Sequence, residues 1–107
     1  VLLAAGCGPN CQTTCQRLYA DGIQDGQEDC GIGRPGRSQS ELIDQCNDYC
    51  DAALETPGEL GSFDPYTRAG SNESITLENE RQAALWMECV ADTTCTRLNE
   101  GYCAPVW

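Results

Sequence analysis

Apolar residues return at intervals of three and four along three stretches of the chain. The first holds Cys11, Cys15, Leu18 and Tyr19. The second holds Leu42, Ile43, Cys46, Tyr49, Cys50, Ala53 and Leu54. The third holds Leu77, Ala84, Leu85 and Cys89, widened by Trp86 and Val90. This spacing lines one face of a 3.6-residue helix. In the second stretch Asp44, Asp48 and Asp51 fall on the opposite side, and Glu78, Glu80 and Glu88 do so in the third. Start and stop signals frame each stretch. Pro9-Asn10 opens the first and Asp21-Gly22 closes it. Ser38 followed by Glu41 is a capping-box pattern, and Thr56-Pro57-Gly58 ends that helix. The pattern predicts helices over about 9–21, 38–55 and 75–91. Asp92 or Thr93 caps a short last helix over about 93–99, which Glu100-Gly101 ends. The expected fold is all-α, an antiparallel hairpin of the first two helices with the third and fourth added.

The cysteines say how that hairpin is held. Residues four apart share a helix face, so Cys11/Cys15 and Cys46/Cys50 can join two antiparallel helices by two parallel bonds. The geometry predicts Cys11–Cys50 and Cys15–Cys46. Nine cysteines in 107 residues exceed 8% of the chain, the density of a disulfide scaffold in an oxidising, extracytoplasmic compartment. Thiolate metal sites use two intervening residues rather than three, so no metal is expected. Cys95 and Cys103 flank the last short helix and are expected to close it locally. Cys30 is then expected to bond Cys89 and tie the first connection to the third helix. Cys7 is the ninth and has no partner in this scheme.

Residues 1–8 precede the helical pattern and are apolar. Leu3-Ala4-Ala5-Gly6-Cys7 resembles a bacterial lipobox, which implies lipidation of Cys7. Residues 1–8 are therefore expected to be a signal-peptide remnant with a lipobox, or else an apolar N-terminal arm. Residues 9–107 are expected to form a single disulfide-rich helical domain.

Seventeen acidic residues against six arginines give a net charge of -11. That charge disfavours nucleic acid and anionic membrane surfaces, leaving a membrane reachable only through a lipid anchor. The chain has no histidine, which removes Ser-His and Cys-His dyads and His-ligated zinc. No catalytic constellation stands out, so neither an enzyme nor a cofactor is expected. Asp21, Asp25 and Asp29 form an acidic loop that fails the EF-hand template, since Ile23 and Ile32 stand at ligand positions. Candidate partner-binding residues lie elsewhere. Arg34 and Arg37 are positive points on an acidic protein. Phe63 and Tyr66 are aromatic residues in the long connection 57–74. Trp107 ends an apolar tail.

The twin Cys-x3-Cys pairs of residues 9–54 resemble those of the α-hairpinins and of the small Tim chaperones, whose outer-to-outer and inner-to-inner pairing maps onto Cys11–Cys50 and Cys15–Cys46. Taken whole, the chain resembles the small Cys-rich lipoproteins of myxobacteria and their relatives. The carriers are the Leu-Ala-Ala-Gly-Cys opening, the twin pairs and the ending Cys89-x5-Cys95-x7-Cys103. The expected function is a non-enzymatic structural or interaction protein of the cell envelope, outer membrane or exterior, anchored through Cys7. Two alternatives stand beside it. One is a self-assembling extracellular, filament-type subunit that uses the apolar termini. The other is a secreted binder or inhibitor that uses loop 57–74. The expected partner is a protein or a second copy.

Overall fold

A computed structural model describes residues 9–24, 27–68 and 76–105. Four helices follow in order: α1 Cys11–Tyr19, α2 Gln39–Leu54, α3 Glu80–Asp92 and α4 Cys95–Asn99. A small antiparallel ribbon, β1 Ile23–Gln24 with β2 Gln27–Glu28, lies between α1 and α2. Among the described residues the other regular elements are all helices. Helices α1, α2 and α3 pack against one another.

Local chemistry sets the ends of the first two helices. The Asn10 side chain accepts Thr13 N–H at 2.9 Å, and Thr13 Oγ1 accepts Asn10 N–H at 3.0 Å. Ser38 and Glu41 make the same reciprocal box on α2, with Ser38 N–H on Glu41 Oε1 at 2.8 Å. Each box satisfies N-terminal N–H groups that the helix itself leaves unpaired. The bond from Ser38 also holds the Glu41 carboxyl below its usual range.

The clamp lies where helix geometry places it. Cys11 bonds Cys50 and Cys15 bonds Cys46, with Cα separations of 5.7 and 5.8 Å. Closing a loop of either size removes about 4 kcal/mol of unfolded-state entropy for a single bond, and less for the second of a nested pair. Around these sulfurs lie Leu18, Tyr19, Ile32, Leu42, Trp86, Met87, Val90 and Leu98, all buried. Trp86 is wholly enclosed and donates its indole N–H to the Cys103 carbonyl at 2.9 Å. It is a core residue with its polar atom satisfied.

The other two bonds are Cys30–Cys95 and Cys89–Cys103. They replace the expected Cys30–Cys89 and Cys95–Cys103. Arg17 accounts for the first. Its carbonyl accepts Cys30 N–H at 2.6 Å, and its guanidinium donates to Thr93 O at 2.7 Å and Val90 O at 3.1 Å. One residue thus holds Cys30 and the 93–95 turn at the same end of α1. Cys103 is held elsewhere. Its N–H bonds Pro65 O at 2.7 Å and its carbonyl takes the Trp86 indole, which sets its sulfur against α3. Its backbone has φ +59°, a left-handed conformation that a side chain normally avoids. Those bonds and the link to Cys89 hold it there.

Helix α3 begins later than the apolar pattern predicts. Its cap is Asn79, four residues after the expected start near 75, which itself lies outside the described residues. Asn79 Oδ1 accepts Arg81 N–H and Gln82 N–H, both at 3.1 Å. Its amide donates to Glu59 O at 2.9 Å, and Glu80 N–H reaches Thr56 O at 2.8 Å. The end of α2 and its following loop therefore dictate where α3 can start. Leu77 packs on the core from a non-helical segment. The buried face is Ala83, Trp86, Met87, Cys89 and Val90, with Gln82 beside it. The expected Ala84 is exposed and Leu85 half-buried. The large area of Trp86 decides the rotation of the helix, since burying it outweighs burying a single Ala.

Candidate functional site

Cys7 and Trp107 lie outside the described residues, as do Asp25 and residues 69–74 of the 57–74 connection. The four disulfides use the other eight of the nine cysteines.

Arg34 and Arg37 face each other across a tight turn, with Arg37 N–H on Arg34 O at 3.2 Å and Gly36 at φ +75°. Both act electrostatically on Tyr19, at the end of α1. That phenol is 1% exposed, and its hydroxyl has no hydrogen-bond partner among the described residues. Burial raises its pKa far above the ordinary value, and the two arginines only partly oppose this. Asp29 is close by. Burial raises its carboxyl, the Arg17 guanidinium pulls it down, and Asp21 pushes it up. Its Oδ2 is likewise buried without a partner among the described residues. Among those residues, no three acidic or cysteine side chains converge on a point that could hold a metal ion. No helix formed by them is long and apolar enough to cross a membrane.

The loop after α2 is built onto the core. Pro65 is buried, its carbonyl bonded to Cys103 N–H and 3.4 Å from Cys89 Sγ. Phe63 is half-buried against the core cluster. Tyr66 follows an Asp64 turn, in which Asp64 Oδ1 accepts Tyr66 N–H at 3.1 Å, and its ring stays 46% exposed. Burial of part of the phenol raises its pKa first, and Asp92, Glu88 and Asp64 raise it further. Phe63 and Tyr66 thus part company: one closes the core and the other stands on a rigid platform beside three carboxylates. Tyr66 and the Arg34–Arg37 turn have different neighbours and do not form one site.

The structure adds a surface that the sequence reading missed. An open groove of about 540 Å³ runs between α1 and α2. Gln12 and Gln16 line it from α1; Ile43, Asp44, Asn47, Asp51 and Leu54 line it from α2. Cys11, at its floor, belongs to the outer clamp bond. The apolar periodicity places Ile43, Tyr49 and Leu54 on the inner stripe of α2. Instead Ile43 is half-buried at the groove, and Leu54 and Tyr49 are 40% and 49% exposed. The signal that could have found this surface is the width of the stripe. Seven apolar positions on α2 are more than one neighbouring hairpin helix can cover.

The chain matches no protein-family profile, no curated protein and no solved structure.

Proposed function

We propose that this protein is a non-enzymatic interaction module of the cell envelope, tethered by lipid on Cys7 and facing an oxidising exterior. Four disulfides fit an oxidising, extracytoplasmic environment. The observation that carries the tether is the pairing itself. Every other cysteine is consumed by an intramolecular bond, and the remaining one stands in a Leu-Ala-Ala-Gly-Cys context. A single acyl chain gives only reversible membrane binding, so firm anchoring takes two or more chains. Intact-mass measurement of native protein tests the reading. The expected result is a diacyl or triacyl adduct on Cys7 together with four disulfides. An unmodified Cys7 in protein recovered from envelope fractions would sink it.

A second reading, a secreted binder working through the loop after α2, draws support from Tyr66. An exposed aromatic ring on a platform pinned by Pro65 presents contact area at little entropic cost. A photo-crosslinker at position 66 should then give a discrete heavier adduct in native extracts, while one at the equally exposed position 49 should not. Equal labelling from both positions removes this reading.

A further inference from the structure

We infer that the α1–α2 groove docks an extended, positively charged segment of a partner protein, with lysine or arginine side chains on either side of one apolar side chain. This goes beyond the tether and holds whether or not Cys7 carries lipid. Charge complementarity names the occupant. Asp44 and Asp51 stand on the groove wall, and none of the six arginines lines it. Asp44, Asp48, Asp51 and Glu55 follow at intervals of four, three and four, a continuous acidic stripe. No basic residue lies on α2 to relieve it. Like charges at these intervals repel along a helix. The last turn of α2 also holds Asp51, with Glu55 at the cap and no cation, although the negative end of the helix dipole favours one. Helix stability therefore gives no reason for this stripe, and a docked cation would relieve both repulsions.

Apolar contact and size narrow the fit. Ile43 and Leu54 border the groove, and its floor includes the Cys11 end of a disulfide. Asp44 and Asp51 are two helical turns apart, roughly 10 Å along the axis. Residues three apart in a polyproline-II segment span about 9 Å and share one face. The fitting pattern is a basic residue, an apolar residue, a spacer and a second basic residue. A second copy of this chain is a poor occupant, since each carries a net charge of -11.

The test uses the full oxidised chain and a fluorescein-labelled, C-amidated Lys-Leu-Gln-Lys peptide, read by anisotropy and by amide chemical-shift mapping. Saturable binding below about 1 mM is expected, weakening with added salt. Shifts should gather on residues 10–16 and 43–54. D44N/D51N should weaken binding about tenfold, as loss of two surface ion pairs implies. Replacing Leu54 by Ser should weaken it too. E88Q/E100Q removes the same charge from exposed residues outside the groove lining and should change binding less than twofold. The inference is overturned by absence of binding, by equal loss in both charge variants, or by equal binding of a Glu-Leu-Gln-Glu peptide. It is also overturned if binding appears only after residues 1–8 are removed, or if the groove shifts appear without peptide as protein concentration rises, which marks self-association.

Discussion

Replacing Tyr19 by Phe deletes one oxygen from the centre of the fold, and the chain should become more stable. The phenol is 1% exposed and its hydroxyl finds no partner among the described residues. Burying such a group unpaired costs about 1–3 kcal/mol. Removing it leaves a void of about 15 Å³ at most, worth roughly 0.4 kcal/mol at 24 cal/mol per Å³. The net gain expected for Y19F at pH 7 is about 0.5–2.5 kcal/mol, measured by guanidinium unfolding with the disulfides intact. The pH arm has a definite sign. The folded-state pKa of Tyr19 is raised above its ordinary value of 10.0. Wild-type stability is therefore untouched by this titration well below pH 10 and falls as pH rises past it, because the unfolded chain releases the proton first. Wild type should lose about 1 kcal/mol relative to Y19F between pH 10 and pH 11. The raised Tyr66 acts with the same sign in both proteins and cancels in the comparison. Cys7 should be alkylated first, since a thiolate at high pH shuffles disulfides. A Y19F variant destabilised by more than about 1 kcal/mol would show that the hydroxyl is satisfied, and one with the same alkaline slope as wild type would show that folding does not suppress its ionisation.

Three further outcomes follow from the same structure. Arg17→Met removes charged donors from Val90 O and Thr93 O and takes the counter-charge from Asp29; a loss of about 2–4 kcal/mol in chemical unfolding is expected, and less than 0.5 kcal/mol would refute its joining role. Asn79→Ala should cost about 1–2 kcal/mol, while Asn79→Asp, which keeps the cap acceptor but loses the donor to Glu59 O, should fall between it and wild type; equal losses in the two variants would mean that the cap contributes nothing. Non-reducing digestion and mass mapping should recover Cys30–Cys95 and Cys89–Cys103, and a Cys30–Cys89 fragment would contradict the fold at its most specific point.

Much of the candidate surface could be read only in part from the chain. The acidic side of α2 is plain in the spacing of Asp44, Asp48 and Asp51. That Ile43 and Leu54 stay at a groove edge depends on how far α1 reaches, and α1 is only nine residues long. Phe63 and Tyr66 look alike in sequence. Their different fates follow the anchoring of Pro65, buried and bonded to Cys103, with Phe63 packed on the core and Tyr66 left exposed.

What the amino-acid order determined by itself is local. Periodicity and caps specify the helices, and two cysteines four apart on each of two antiparallel helices admit one unstrained clamp. Cysteine density specifies an oxidising environment. What the tertiary structure decided is every choice among equivalent partners. Cys30, Cys89, Cys95 and Cys103 are chemically identical, and no spacing rule ranks their pairings. The docking of Arg17 on the end of α3 and the grip of Trp86 on Cys103 bring particular sulfurs within bonding distance. The start and rotation of α3 were settled in the same way, by Asn79 bonding a distant loop and by the burial of one indole.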